Sequence, residues 1–465
     1  MDVLRYRESY TPNEIMWASG SLATGLLFNA MALYSLFFMT SILGIGAFTA
    51  GALIFLARIF DGITDPAMGA ISDRTRHRLG PRRPYLAWGA VLMGASFALF
   101  FNLPAVEGAA VVALALVALL LYSASYTVFT VPYLAMPPDI ASSYDGRTRV
   151  MSFRVFFLMV GVLTGSAGAP VIVGAMGGGP EGFRVLGVGL GLVAVTMGLV
   201  AFFGSRPLPF PKALDSRGEP LGKLVLSPFV DMLAVLRNQP FLQLTLVKLC
   251  QLAVLAVALA CTPYFFTYVL ERSPADIGIY LAVFGLSGIA SLALWRPIIA
   301  KYGKKQTYMA LLVLYAAGMG SWLFWQPGEA EVFFYARAVF IGMASTGTVL
   351  CALALLPDTM EYDRLSCGRS RDGIMSGVFT LVEKLAGAIG PLVIGALLST
   401  MGLVTGRDPD IVQPEGALFA VKLGMSVVPA VFCLAAIPFL MAYRLDEKGL
   451  EDARLRAQTA GGTLG

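Results

Sequence analysis

Histidine occurs once in 465 residues, at His77, inside a strongly basic segment. That excludes the histidine-rich metal centres on which most membrane-embedded metalloenzymes depend. Cysteine is scarce as well: five residues, most of them in long apolar stretches, make no disulfide framework. Charge is the third shortage. Asp, Glu, Lys and Arg make up 14% of the chain, where a soluble domain carries nearer a quarter. A soluble chain of this length would also divide into domains separated by polar surface, and no such pattern is visible. There is no nucleophile motif and no phosphate-binding glycine loop; "GAMGGGPEG" at 174 to 182 reads as a flexible turn. The start of the chain is polar and its first apolar run is of full spanning length, so no cleavable signal peptide is expected.

What fills the space is apolar sequence. Hydrophobic residues account for 57% of the chain and the mean hydropathy is +0.74. Segments long enough to cross a bilayer core of roughly 30 Å recur from end to end. The pattern predicts an all-α polytopic membrane protein with twelve spans, near 15 to 42, 47 to 72, 84 to 104, 108 to 136, 150 to 175, 183 to 204, 240 to 270, 275 to 300, 306 to 326, 332 to 357, 374 to 400 and 415 to 443. Lys and Arg collect on the cytoplasmic side of membrane proteins. With both termini inside, only Arg184, Arg272 and Arg407 fall in segments assigned outside. The net charge of +5 is therefore mostly membrane orientation and implies no nucleic-acid partner.

The chain reads as two copies of one plan. Residues 205 to 239, proline-rich at the start and mixed in charge, form a cytoplasmic linker between a six-span half at 1 to 204 and another at 240 to 443, followed by a tail at 444 to 465. Residues 228 to 237 of the linker suggest a short helix on the cytoplasmic face. "PDIASSYDGRTRVMSF" after span four is echoed by "PDTMEYDRLSCGRSRDGIMSG" after span ten, matching Asp139 to Asp358, Tyr144 to Tyr362 and Asp145 to Asp363. "LFFMTSIL" closing span one resembles "YFFTYVLE" closing span seven, and "DPAMGAISDR" closing span two resembles "RPIIAKYGKK" closing span eight. Two parallel six-helix repeats around a central site are the plan of one class of secondary transporter.

Span two also carries "RIFDGITDP". Asp61 and Asp65 are four residues apart, so a helix stacks them on one face, roughly 5 to 6 Å apart at Cβ. In a low-dielectric bundle two such carboxylates need a proton or a cation between them. Pro66 removes a backbone donor and leaves a carbonyl near Gly62 or Ile63 as a further oxygen ligand. The alternative is an interhelical ion lock with Arg58 and a lysine. Lys384 lies about ten residues into span eleven, too deep to reach an interface easily. Lys248 and Arg296, in spans seven and eight, and Glu383, beside Lys384, acquire no part from the sequence.

These residues resemble the major facilitator superfamily and, within it, the glycoside-pentoside-hexuronide:cation symporters. The resemblance covers nearly the whole chain. It rests on "ARIFDGITDPAMGAISDRTRHRLGPRRPYL", "YTVFTVPYLAMPPDI", "RVFF" and "PDTMEYDR…GIMSGVFTLVEKLAG". It implies two pseudo-symmetric six-helix bundles and cation-coupled symport by alternating access. By resemblance Asp61, Asp65, Thr64 and Thr127 bind the coupling cation, Na⁺ or H⁺, with no other cofactor. Lys384 and Arg58 adjust that site's charge, Lys384 pairing with Asp61 or Asp65 when the ion is absent. Asp73 and Arg74 with their basic loop, and Asp139, Asp145, Asp358, Glu361 and Asp363, are expected to form the cytoplasmic gate.

The substrate site departs from the family. Its galactoside transporters carry acidic side chains on helices one and four that grip sugar hydroxyls; here the helix-four place is Thr130 and helix one has no acid. Unpaired hydroxyls in a site are costly, and Asn29, Tyr34, Tyr126, Thr130 and Arg154 could supply some partners. A small glycoside-like solute is the expected substrate. An amphiphile such as a lysophospholipid, carried by related sodium-dependent importers, is the alternative, and a transporter-like receptor is the alternative of another class. No enzyme activity is expected. The expected setting is a monomer in the lipid bilayer of a bacterial inner membrane, with both termini cytoplasmic.

Overall fold

The computed structural model describes residues 11–104, 106, 108–140, 144–205, 232–367, 371–406, 412–445, 450–451 and 455. Within them twelve helices are long and apolar enough to cross a membrane. They are α1 Pro12–Ile42, α2 Ala47–Arg74, α3 Arg83–Phe101, α4 Ala109–Leu134, α5 Thr148–Ala175, α6 Pro180–Gly204, α7 Gln239–Val269, α8 Pro274–Tyr302, α9 Lys304–Phe324, α10 Glu331–Cys367, α11 Asp372–Thr400 and α12 Glu415–Ala442. Ends follow local chemistry. Asn238 caps α7, its side-chain oxygen accepting from the Phe241 N–H at 3.3 Å, and Pro240 sits in the first turn, where its missing donor costs nothing. Gly80 and Gly303, with φ of +94° and +85°, turn the chain just before α3 and α9, a conformation that favours glycine.

The predicted duplication is present in the backbone. α1 and α7 each close in a π turn, over Phe38–Ile42 and Phe265–Val269. In both, the N–H five residues on bonds back: Leu43 to the Phe38 carbonyl at 3.0 Å, and Leu270 to the Phe265 carbonyl at 2.9 Å. Helix contact through small residues repeats too. α5 meets α1 at Gly25, Gly161 and Gly165, and α11 meets α7 at Gly390, which lies against the backbone of Ala256. Close backbone approach replaces the hydrophobic driving force that lipid denies to membrane helices.

The chain divides into two compact units, residues 1–225 with 271–279 and 403–413, and residues 226–270 with 280–402 and 414–465. Each assembles six spans, the start of α8 and the segment after α11 being grouped with the first. The largest departure from the predicted spans is α10, which does not stop at Pro357 but runs on to Cys367. The stretch with Asp358, Glu361 and Asp363 is thus a helical extension, with Asp358 and Asp363 held by side chains of the same unit, as described below. Of the expected linker helix at 228–237, residues 232–235 are helical. Residues 206–231, Arg407 and the side chain of Asp145 lie outside the described residues.

Candidate functional site

α2 passes through Pro66 as one helix. Its two aspartates therefore lie one turn apart on the face turned towards α4, and α4 answers each with a hydroxyl one turn apart in the same register. Thr127 Oγ1 donates to Asp65 Oδ1 at 2.7 Å, and Ser123 Oγ donates to Asp61 Oδ1. The result is a two-rung ladder of carboxylate and hydroxyl across the α2–α4 interface. Arg58, one turn before Asp61, binds Asp61 Oδ2 at 3.2 Å and lies 5.0 Å from the centre of the Phe28 ring. Asp61 is 4% exposed, so its charge is taken up locally by Arg58 and Ser123.

Ser123 was missed in the sequence, where a single serine in an apolar span carries no signal. Its oxygen reaches the Ala57 carbonyl at 3.3 Å as well as Asp61. The one hydroxyl proton can serve only one acceptor at a time. Turned to Ala57, the oxygen presents its lone pairs beside Asp61, so this edge offers a carboxylate and a neutral oxygen together. Hard cations take such all-oxygen sets. Thr64, expected in the same set, donates to the Phe60 carbonyl at 3.0 Å and keeps only lone pairs for another partner.

Arg58, Asp61, Ser35, Tyr122, Ser123 and Tyr126 line one recess between α1, α2 and α4. The Tyr122 hydroxyl is buried there without a hydrogen-bond partner among the described residues, and Tyr126 donates to the Thr24 carbonyl at 3.4 Å. Thr130 follows Tyr126 by one turn of α4. The other residues expected at the substrate are placed differently. Asn29 bonds back to the Gly25 carbonyl at 2.9 Å. Tyr34 is 1% exposed, packed edge-on to Phe183 at 5.2 Å in an aromatic cluster that seals α1 to α6, and it does not line the recess. Arg154, on α5, has a buried Nε without a hydrogen-bond partner among the described residues.

Three of the expected gate residues, Asp73, Asp139 and Asp358, lie in two matching clamps, one in each unit. In the first, Arg82 donates to Asp139 at 2.7 Å, to the Ala135 carbonyl at 2.7 Å and to Asp73 at 2.9 Å. In the second, Lys304 donates to Asp358 at 2.6 Å and to the Ala354 carbonyl at 3.2 Å. Each cation thus spans an aspartate and the carbonyl four residues before it. The next basic residue goes to the C-terminal end of a further helix: Arg83 to Ser205 at 3.0 Å, and Lys305 to the Tyr443 carbonyl at 2.6 Å. Cations at helix C-termini are favourable. Asp363 is held separately, by Arg371 at 2.9 Å and Asn238 at 2.7 Å. Arg74 ends α2, and Glu361 stands on the α10 extension.

Because Arg82 serves three acceptors, Arg82→Gln is expected to destabilise the protein by about 1.5–3 kcal/mol, the range for hydrogen bonds to charged groups, with Arg82→Lys intermediate. Thermal unfolding in detergent reads this, and an unchanged midpoint in Arg82→Gln would remove the clamp.

Comparison with known proteins adds the following. Residues 16–447 match the family model described as MFS/sugar transport protein. A putative glycoside/cation symporter of Escherichia coli (strain K12) is 27% identical, the match covering 94% of this chain and 93% of that protein. An isoprimeverose transporter of Lactiplantibacillus pentosus is 26% identical, over 93% and 88%. Among solved structures, a bacterial homologue of the human lysosomal transporter Spinster superposes with a TM-score of 0.68 at 14% identity, over 94% and 98%. The nucleoside transporter NupG does so with 0.63 at 12%, over 93% and 100%. At these identities the structures share the fold.

Proposed function

The chain belongs to the MFS/sugar transport family, and from that premise we propose that it is a cation-coupled symporter of a glycoside-like small solute. The observation that carries the proposal is the ladder of Asp61 with Ser123 and Asp65 with Thr127. Ionisable groups inside a membrane protein are expensive, and they persist where they bind or move charge. Two carboxylates flanked by hydroxyls, with Arg58 beside Asp61, suit a monovalent cation. The names of the relatives, one a glycoside/cation symporter and one an isoprimeverose transporter, support a sugar-like solute.

In this reading Asp61, Asp65 and Thr127 hold the ion, with Thr64 presenting a lone pair. Arg58 limits the net charge of the site, and Lys384 keeps the coupling part expected of it. Tyr126, Thr130 and Arg154 meet the solute, and the Arg82 and Lys304 clamps serve alternating access by holding helix ends together. The protein sits in a bacterial inner membrane with both termini cytoplasmic.

The purified protein is titrated with Na⁺ against K⁺ at two pH values, by tryptophan fluorescence, in wild type and in Asp65→Ala. A saturable Na⁺ response lost in the variant is the expected result for sodium coupling. A pH response lost in the variant assigns the proton instead. Silence towards both ions overturns the symporter reading in favour of a receptor.

A further inference from the structure

We propose that Glu383, held on Lys248, is a carboxylate that accepts hydrogen bonds from the hydroxyl groups of a neutral polyhydroxylated solute. The proposal rests on the symporter reading for the presence of a solute and adds a residue of the C-terminal unit that grips it.

The two partners of this ion pair are built for different purposes. Lys248, on α7, is 5% exposed. Its ammonium donates to Glu383 Oε1 at 2.7 Å and to the Phe379 carbonyl at 3.3 Å, and it lies 4.0 Å from the centre of the Phe379 ring. An ammonium has three donors; two are used and the ring covers the third side, so Lys248 has nothing left for a ligand. Glu383 is the reverse. Its side chain is 55% exposed, and among the described residues its hydrogen bonds go to Lys248 alone. A carboxylate can accept at about four lone-pair positions, so most of its capacity is open.

Depth makes that opening meaningful. Glu383 follows Asp372, where α11 begins, by eleven residues, roughly 16 Å of helix, and lies farther still from Thr400 at the other end. A glutamate side chain cannot reach an interface from there. A half-exposed charge at this depth is costly against hydrocarbon, and such groups face the bundle interior or a water-filled cavity. Two other ion pairs of this protein are closed on both carboxylate oxygens. Arg149 grips both oxygens of Glu14 at 2.7 and 2.6 Å, with the Glu14 side chain 5% exposed, and Arg337 grips both oxygens of Glu329. Lys248 engages one oxygen of Glu383, and among the described residues the other makes no hydrogen bond.

The pair is neutral as a whole, so a neutral solute adds no charge that needs compensation. What the open oxygen lacks is a donor, and hydroxyl groups are what a sugar brings. Glu14 of α1 is taken by Arg149 and the Thr130 position of α4 carries no acid, whereas α11 supplies one.

The test uses the full-length purified protein and isothermal titration with p-nitrophenyl galactoside, glucoside, xyloside and glucuronide. At least one neutral glycoside is expected to bind wild type and to weaken about tenfold or more in Glu383→Gln, the effect of one lost hydrogen bond to a charged group. Glu383→Asp recovers part of it. Because Glu383→Gln leaves a buried lysine without its counterion, the double variant Lys248→Gln/Glu383→Gln is made as well, and the same loss is expected. Deoxy analogues separate gripping from scaffolding. The analogue lacking the gripped hydroxyl binds wild type weakly and loses nothing more in Glu383→Gln, whereas a purely structural pair weakens every analogue alike.

The proposal is overturned if glycoside affinity stays within about twofold in both variants, the ordinary range for a residue without a role at the site. It is also overturned if no neutral glycoside binds wild type, or if the glucuronide binds and tightens in Glu383→Gln, which makes Lys248 the reader of an anion. Failure of the symporter reading is seen separately, in the Na⁺ and pH titrations of wild type and Asp65→Ala.

Discussion

Asp61→Asn and Asp65→Asn are each expected to abolish uphill solute accumulation in proteoliposomes while solute still binds and exchanges. Both carboxylates face one side of α2, and each meets a hydroxyl on α4. Replacing either by an amide keeps size and hydrogen bonding and removes one negative charge at the ion. The direct Coulomb attraction lost in a partly screened site is several kcal/mol. Cation affinity should fall by roughly two to three orders of magnitude, about 3–4 kcal/mol at 1.36 kcal/mol per tenfold. At that affinity the site is empty at working ion concentrations. An ion gradient then does no work on the solute, whereas exchange needs no ion movement and persists. Ser123→Ala is the graded version: Asp61 keeps its charge and Arg58, and loses one oxygen partner, so half-saturation moves to higher ion concentration with accumulation retained. Accumulation at wild-type levels in either asparagine variant would remove the aspartates from coupling.

Periodic features were legible in the sequence. Twelve apolar runs of spanning length can only be helices in lipid, since no other open structure satisfies its backbone there. The four-residue spacing of Asp61 and Asp65 decided their common face before any neighbour was known. Duplicated strings such as "LFFMTSIL" and "YFFTYVLE" predicted duplicated structure, and both close in π turns. What stayed hidden depends on which helix lies beside which. Ser123 matters only because α4 packs on α2 in a register that sets it opposite Asp61. Glu383 and Lys248 are 135 residues apart and meet only because α11 lies along α7. Arg82 and Lys304 looked like any basic residues of an inside loop until their shared pattern, an aspartate and the carbonyl one turn before it, appeared in both units. The end of α10 was misjudged for a local reason: a proline followed by charged residues usually closes a helix, but here α10 continues and its acids find partners on neighbouring segments.

The largest loss of folded protein is expected from Gly161→Leu. At Gly161 the backbone of α5 touches that of α1 so closely that a Cβ would overlap the Leu22 carbonyl oxygen, and at Gly165 the same holds for Leu26. On the other side of the seam, a Cβ at Gly25 would come within 2.9 Å of the Leu158 carbonyl. The obstacles are backbone atoms, which no rotamer change can move aside. A leucine forces the two helices apart over the whole seam, and neighbouring contacts open with it. Overpacking of a tight core costs about 1–3 kcal/mol and more where backbone must shift; this contact lies beyond the upper end of that range. Gly161→Ala is the milder probe and is expected to retain folding at a lower unfolding temperature, while Gly189→Ala, with open space around its Cβ, leaves it unchanged. Size-exclusion profiles and thermal unfolding in detergent read all three. A monodisperse Gly161→Leu protein with the wild-type midpoint would mean that α1 and α5 are not in backbone contact. The same seam recurs at Gly390 against Ala256, so Gly390→Leu carries the same expectation for the other unit.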